Sequence, residues 1–349
     1  FRTVVSATDA FPQSCVANAI HVGMGAKSAQ RDSTAGTPES FLIQSRDLYG
    51  NNVLYDPFKP LDVFAAVMQT LGMSCDEFGM PLNEGAVCLV ATVKNNFDST
   101  HTVSYTPRVS GKYELTATLV KPGARMTISN SPFKSVVKSS IVSVENSVVN
   151  AEVMYHRAGK LIMNSTADAF TSFNVIARDE FDNIVENSNV NFEGYASRRG
   201  VVVGDMASYR NDITLMSNND GTYEVSYTVT FAAMYTLSIE QGGLQIKGSP
   251  FELSIVPGKL LPSACTCQGG GFAGGMAGNP TTYTIVARDL FGNQLLEGGA
   301  QWTVHVYTAK DLLLGAEVSS IRPVPVDNND GTYLVTYLSP ETGPHRIMT

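Results

Sequence analysis

Ten residues, NNDGTYEVSY from Asn218 to Tyr227, return almost unchanged as NNDGTYLVTY from Asn328 to Tyr337, 110 positions later. A recurrence of that length marks a repeated structural unit, so each unit must close a core of its own. Asp220-Gly221 and Asp330-Gly331 are hairpin-turn dipeptides. After them, Tyr223, Val225 and Tyr227, or Tyr333, Val335 and Tyr337, alternate at the period of a half-buried strand. The corresponding stretch of the first unit keeps His101, Val103 and Tyr105 but carries Asp98-Ser99-Thr100 before them. Without the Asp-Gly pair, that hairpin is expected to turn differently.

A second signature occurs three times: FLIQSRDLYGN from Phe41, FNVIARDEFDN from Phe173 and YTIVARDLFGN from Tyr283. Alternation places Phe41, Ile43 and Ser45, then Phe173, Val175 and Ala177, then Tyr283, Ile285 and Ala287 on one face, the core face. Each strand then runs into Arg-Asp and a Gly-Asn or Asp-Asn pair, residue types that tolerate positive φ and end a strand in a tight turn. A further alternating strand carries Tyr113, Leu115, Ala117 and Leu119, then Tyr235, Leu237 and Ile239, then His345 and Ile347. Ser131-Pro132-Phe133 and Ser249-Pro250-Phe251 follow it, each opening a last strand whose phenylalanine can plug the end of a core. FRTVV at the start matches those last strands. Cys15 and Cys265 each fall 14 positions after such a phenylalanine, where the middle unit has Ser147, so the fold does not require this cysteine.

Strands separated by Gly, Pro, Asn and Asp turns, with no convincing 3.6-residue period, predict an all-β chain of tandem antiparallel immunoglobulin-like sandwiches. The boundaries read as 14–138, 139–257 and 258–349, the last lacking its final strand, with 1–13 the last strand of a preceding unit and a linker. The chain thus reads as an excerpt of a longer protein, with linkers short enough to make the array semi-rigid. Among 349 residues, 43% hydrophobic and 16% charged content suits ordered domains. The net charge of -8, without a basic cluster, argues against a nucleic-acid partner. No apolar run reaches the roughly 20 residues of a membrane helix.

Taken together, F-x-V-x-A-R-D-x-x-G-N, N-D-G-T-Y-x-V-x-Y and G-S-P-F resemble the filamin repeat, most fully in the second unit, with FNVIARDEFDN, NNDGTYEVSY and KGSPFELSIVPG. The resemblance spans the chain. It implies immunoglobulin-like modules that space actin-binding domains and bind partner peptides, with actin or axonemal proteins as candidate partners in a cytoskeletal or ciliary assembly. Similar repeats in gamete-surface proteins imply the alternative, an extracellular adhesion stalk. The first unit exceeds the usual filamin length through an insertion near 75–88.

Catalytic and metal chemistry find no foothold, and no cofactor is expected. His21, His101, His156, His305 and His345 lack metal-ligand spacing and read as scattered surface or edge residues. GGGFAGGMAG, Gly269 to Gly278, lacks the Gly-Lys-Ser/Thr of a phosphate loop and reads as a turn-rich connection. Cys15, Cys75, Cys88, Cys265 and Cys267 read first as free or buried thiols acting as small apolar residues, while Cys75 and Cys88 flank a turn-like segment that a disulfide could close in an oxidising compartment. Partners that add a strand need an edge with backbone donors to spare. Before the hairpin, the third unit has Pro323 and Pro325, which blunt that edge, and the first has Ala86 to Val93 beside its insertion. In the second unit, Ile213, Thr214, Leu215 and Met216 keep every donor and form the candidate docking edge.

Overall fold

The computed structural model describes residues 3–19, 31–76, 78–150, 155–157, 160–200, 210–308 and 321–349. Strands dominate, and the helical segments among the described residues are single 3-10 turns at Pro12–Ser14, Pro262–Ala264 and Gly270–Phe272. In the first repeat the strands lie side by side in the order Val16–Ala19, Glu39–Gln44, Thr100–Tyr105, Cys88–Asn95, Val63–Thr70, Gly111–Lys121, Phe133–Lys138, Arg31–Thr34. The second repeats that order with Ser143–Val149, Thr171–Arg178, Thr222–Tyr227, Arg210–Ser217, Glu193–Arg198, Ala233–Gln241, Phe251–Val256 and Lys160–Thr166. One strand in each serves both layers. Arg210 to Ile213 pair with Glu193–Arg198, and the same strand then crosses so that Thr214 to Ser217 pair with Thr222–Tyr227. The third repeat sets Thr266–Gln268, Pro280–Val286, Thr332–Leu338 and Val326–Asp327 in one sheet, and His305–Tyr307 with Arg346–Met348 in another. The chain is therefore an all-β series of immunoglobulin-like sandwiches.

By contacts the chain falls into two compact units: Phe1–Ser147 with Ile176–Asn189 and Asn219–Gly221, and the remainder. The division runs through the second repeat because its Arg-Asp turn is held by the first repeat.

The period-two faces are the buried faces. Ile43, Val103, Leu119, Val175, Ala177, Val225, Leu237, Ala287 and Val335 are sealed from solvent, and Tyr235, Tyr283 and Tyr333 are among the largest buried side chains. His101 departs from the surface reading. It occupies the core position that Tyr223 and Tyr333 fill elsewhere, its ring 4.6 Å from that of Phe64 and its Nε2 3.2 Å from the Asp62 carbonyl oxygen. Burial pushes its pKa down, so it is held as a neutral core imidazole.

The first hairpin corrects the expectation of a different turn. Phe97 and Ser99 stand at φ 62° and 72°, where the other repeats have Asn219 and Gly221 at 63° and 87° and Asn329 and Gly331 at 61° and 78°. The same frame holds all three: Asn96, Asn218 and Asn328 each donate Nδ2–H to the hydroxyl of Thr100, Thr222 and Thr332 at 2.9, 3.0 and 2.9 Å. Asn and Thr therefore define the turn, and Asp-Gly only eases it. Ser99 is tolerated at positive φ because Gln44 donates its amide to the Ser99 hydroxyl and carbonyl at 2.8 and 3.0 Å.

This turn joins the two signatures. The carbonyls of Ser99, Gly221 and Gly331 accept the N–H groups of Ser45, Ala177 and Ala287 at 2.9, 2.8 and 2.8 Å. A Cβ on Gly331 would collide with the Leu295 carbonyl oxygen, in addition to the strain of its φ. Gly331→Ala should therefore lower the stability of the third repeat by roughly 2–3 kcal/mol through strain and overpacking. Chemical denaturation followed at Trp302 checks this, and an unshifted midpoint would show the turn to be more compliant.

Ser-Pro-Phe has a divided role. Ser131 and Ser249 accept the N–H of Ala117 and Ile239 on their hydroxyls, both at 2.9 Å, while Phe133 and Phe251 are buried. Thr3 to Val5 form no strand among the described residues, and Val4 and Val5 are exposed; Phe1 and Arg2 of the opening FRTVV lie outside the described residues.

Candidate functional site: repeat joints and docking edge

Aspartate in the Arg-Asp signature is an acceptor for a whole turn. Asp289 takes the N–H of Phe291 and Asn293 on Oδ1, both at 2.9 Å, and the N–H of Gly258 and the Asn293 amide on Oδ2, both at 2.8 Å. Asp179 does the same with Phe181, Asn183 and Ser140, and Asp47 with Tyr49, Asn51 and Thr8. Thr8, Ser140 and Gly258 each lie seven positions after Phe1, Phe133 and Phe251. The carboxylate thus fixes the linker entering its own repeat.

Asparagine of the same signature reaches the other way. Asn183 donates Nδ2–H to the carbonyl of Arg108 and accepts the N–H of Ser110 on Oδ1, both at 2.8 Å. Asn293 donates to the carbonyl of Thr230 at 2.8 Å and accepts from Ala232 at 2.9 Å. One primary amide satisfies a carbonyl and an N–H two residues apart, as a backbone strand would. The clamped loops are braced from below, since Tyr113 and Tyr235 donate their hydroxyls to the carbonyls of Val109 and Phe231 at 2.8 and 2.9 Å. At the first joint an aromatic completes the contact: the Arg108 guanidinium lies 5.9 Å from the Phe181 ring, and a Cβ on Gly36 would sit 2.5 Å from that ring.

The position shared by Cys15, Ser147 and Cys265 accepts the N–H of the signature arginine, at 3.4 Å from Arg46, 3.2 Å from Arg178 and 3.3 Å from Arg288. Sulfur and hydroxyl oxygen do one job here, which is why serine replaces cysteine. Burial pushes the Cys15 thiol up, away from the thiolate a reactive cysteine needs.

The candidate docking edge is narrower than four residues. Ile213 is buried and paired with Gly194. Thr214, Leu215 and Met216 face Ser226, Val225 and Glu224, and the bond from the Asn218 N–H to the Thr222 carbonyl sets the parity of that ladder. Counting back in twos, Thr214 and Met216 direct their backbone groups into the hairpin, whereas Leu215 directs its N–H and C=O away from it. On that side Leu215 has no ladder partner among the described residues. In the first repeat the equivalent strand, Cys88–Asn95, lies beside its insertion: a Cβ on Gly79 would meet a Val90 methyl at 2.5 Å. The insertion is tied at its base by a Cys75–Cys88 disulfide with Cα atoms 5.9 Å apart and by the Asn83 side chain accepting the Ser74 N–H at 2.7 Å. In the third repeat the edge strand is cut to Val326–Asp327 after Pro323 and Pro325.

Glycines of the 269–278 loop close onto their own sandwich, since the Tyr337 hydroxyl donates to the Gly271 carbonyl at 2.9 Å and a Cβ on Gly271 would lie 2.6 Å from the Thr282 carbonyl oxygen. His21 lies outside the described residues.

A family profile described as the Filamin/ABP280 repeat matches residues 11–134, 143–252 and 259–348. Among curated proteins, Filamin-C of Mus musculus is 28% identical over 299 residues, covering 82% of this chain and 10% of that protein, and Filamin-C of Rattus norvegicus is 27% identical over the same length. The chain spans about a tenth of the length of these relatives. Among solved structures, the Escherichia coli adhesin FdeC superposes with a TM-score of 0.50 at 15% identity, covering 99% of this chain and 94% of that one. That likeness is one of fold. Three profile matches over three sandwiches, carrying the same turns and the same joint residues in register, show that the chain belongs to the filamin repeat family.

Proposed function

We propose that the chain is a non-catalytic spacer and docking scaffold for partner proteins in a cytoskeletal or ciliary assembly. The observation that carries this reading is the joint: the same asparagine clamp and the same aspartate-held linker recur at both boundaries between repeats. A chain that invests its most repeated polar residues in fixing neighbour to neighbour serves as a support. Actin or axonemal proteins are the candidate partners on this reading, and an added strand at Leu215 is the docking mode.

Leu215→Pro removes the one N–H of the proposed edge that points away from its hairpin, leaving the ladder bonds of Thr214 and Met216 in place. The folded variant should lose a native partner that the unaltered chain retains in a pull-down. Unchanged binding by the folded variant would remove this edge from the scaffold.

The Cys75–Cys88 disulfide favours a second reading, an extracellular adhesion stalk, because such bonds persist in oxidising compartments. Alkylating native protein before mass analysis, together with antibody labelling of intact and permeabilised cells, separates the two. Labelling only after permeabilisation is the result expected for the scaffold, whichever state the pair is found in. A linked pair with labelling of intact cells would establish the stalk.

A further inference from the structure

We infer that the tip of the first repeat's insertion, Phe78, Met80 and Leu82, is a pre-shaped plug for an apolar pocket with a basic rim on a partner protein. The three side chains are 74%, 62% and 65% exposed, yet the loop that carries them is fixed. The Asp76 carboxylate accepts the N–H of Phe78 at 2.9 Å and of Met80 at 2.7 Å. The Asp76 N–H donates to the Met80 carbonyl, and the Leu82 N–H to the Ser74 carbonyl, both at 2.9 Å. The Cys75–Cys88 bond closes the base, and Gly79, at φ 78°, lies against Val90 with no space for a Cβ. This frame has no use for three large apolar side chains, and none of them belongs to the core of the first repeat. A loop already held in shape loses little freedom on binding, which suits exposed aromatic and methionine side chains to anchoring a partner.

Charge selects the occupant. No lysine, arginine or histidine stands between Lys59 and Lys94, whereas Asp76, Glu77 and Glu84 all fall within the loop. A bilayer of anionic lipids would repel it, since surface attachment draws on lysine and arginine beside the apolar residues. A second copy would bring the same acidic loop on a chain of net charge -8. A protein pocket lined by apolar side chains and rimmed by lysine or arginine matches both the apolar centre and the acidic surround. The plug belongs to the first repeat and the Leu215 edge to the second, so either can fail without the other.

Photo-cross-linking followed by direct binding decides it. A benzophenone amino acid placed at Phe78, in the cells that make the protein, should cross-link to another protein through a peptide that carries lysine or arginine. The same probe at the exposed Phe170 should not give that product. The cross-linked protein, once purified, should bind the unaltered chain, and Phe78→Ala with Leu82→Ala should weaken binding by about tenfold or more, the size of a hot-spot truncation. Glu84→Lys should weaken it several-fold, and rising salt should weaken it further. All three side chains are exposed, so an unshifted unfolding midpoint verifies the fold of each variant. Vesicles of phosphatidylcholine, with or without phosphatidylserine, should not carry the chain on flotation. Cross-links to lipid, or flotation that depends on Phe78, would give the tip to a membrane and overturn the partner. Cross-links to a second copy, no cross-link at all, or binding indifferent to the alanine changes would overturn the plug. Binding indifferent to salt and to Glu84→Lys would overturn the basic rim.

Discussion

Asp289→Ala should unfasten the second joint and destabilise the third repeat by about 3–5 kcal/mol. Asp289 is buried, and its removal strands four donors at once: the N–H groups of Gly258, Phe291 and Asn293 and the amide of Asn293. Each unsatisfied buried donor costs about 1–3 kcal/mol, with relaxation and water entry reducing the sum. Asn293 also loses the contact that orients it, so its clamp on Thr230 and Ala232 should slacken. Hydrogen exchange read separately over 227–233 and 283–295 would show both losses; protection falling only in the second segment would mean that the clamp stands without its carboxylate.

The same carboxylate makes the joint sensitive to acid. Burial alone would raise its pKa, but the hydrogen bonds from Asn293, Gly258 and Phe291 outweigh that and hold it below the usual carboxylate value; Asp179 and Asp47 are depressed in the same way. A carboxyl whose folded pKa is depressed contributes stability that is fully present above its unfolded pKa, near ~4, and is lost as pH falls through the lower folded value. Thermal unfolding should therefore be flat from neutral pH to about 5 and fall steeply below ~4. Asp289→Asn, which cannot titrate, should be less stable at neutral pH and lose less on acidification. An equally steep acid loss in that variant would place the titrating group elsewhere.

The letters of the two signatures reveal turns but not joints. Arg-Asp-x-x-Gly-Asn reads as a strand end because Asp, Gly and Asn all suit tight turns, and the positive φ of Gly50, Asp182 and Gly292 bears that out. What Asn183 grips is the backbone of Arg108 and Ser110, some 75 positions away, and backbone groups leave no mark on a sequence. A signal did exist: asparagine closes the motif even where aspartate replaces the glycine before it, at Asp182-Asn183, so the turn alone did not account for it.

Period and parity explain the other successes and corrections. Alternation assigns a side chain to a face, which is why Phe173, Val175 and Ala177 lie where expected. It does not say which residues of an edge direct their N–H outward. That depends on the hairpin register, and the Asn218–Thr222 bond assigns it to Leu215 and withdraws Thr214 and Met216. The first hairpin shows the converse. Phe97 and Ser99 look unfit for positive φ, yet Asn96, Thr100 and Gln44 hold the turn in the form it has elsewhere.

Phe251→Ala should destabilise the second repeat by about 3–5 kcal/mol, the usual loss for emptying a buried phenylalanine site. Its ring is 3% exposed, opens the strand Phe251–Val256 opposite Leu237, and lies so close under Gly248 that a Cβ there would stand 3.1 Å from it. With a positive-φ glycine turn above and sealed strands below, the site has little room to collapse. The exposed Phe170 supplies the contrast, since Phe170→Ala should change stability by less than about 0.5 kcal/mol. Tandem repeats need not unfold as one, so hydrogen exchange over 233–256 is the appropriate measure. The loss should travel further, because Val256 ends the strand two residues before Gly258, whose N–H Asp289 holds. A frayed last strand loosens that grip, so Phe251→Ala should also lower protection at Phe291 and Asn293. Protection lost within the second repeat alone would show that the linker and the aspartate turn keep their geometry independently of the strand that feeds them.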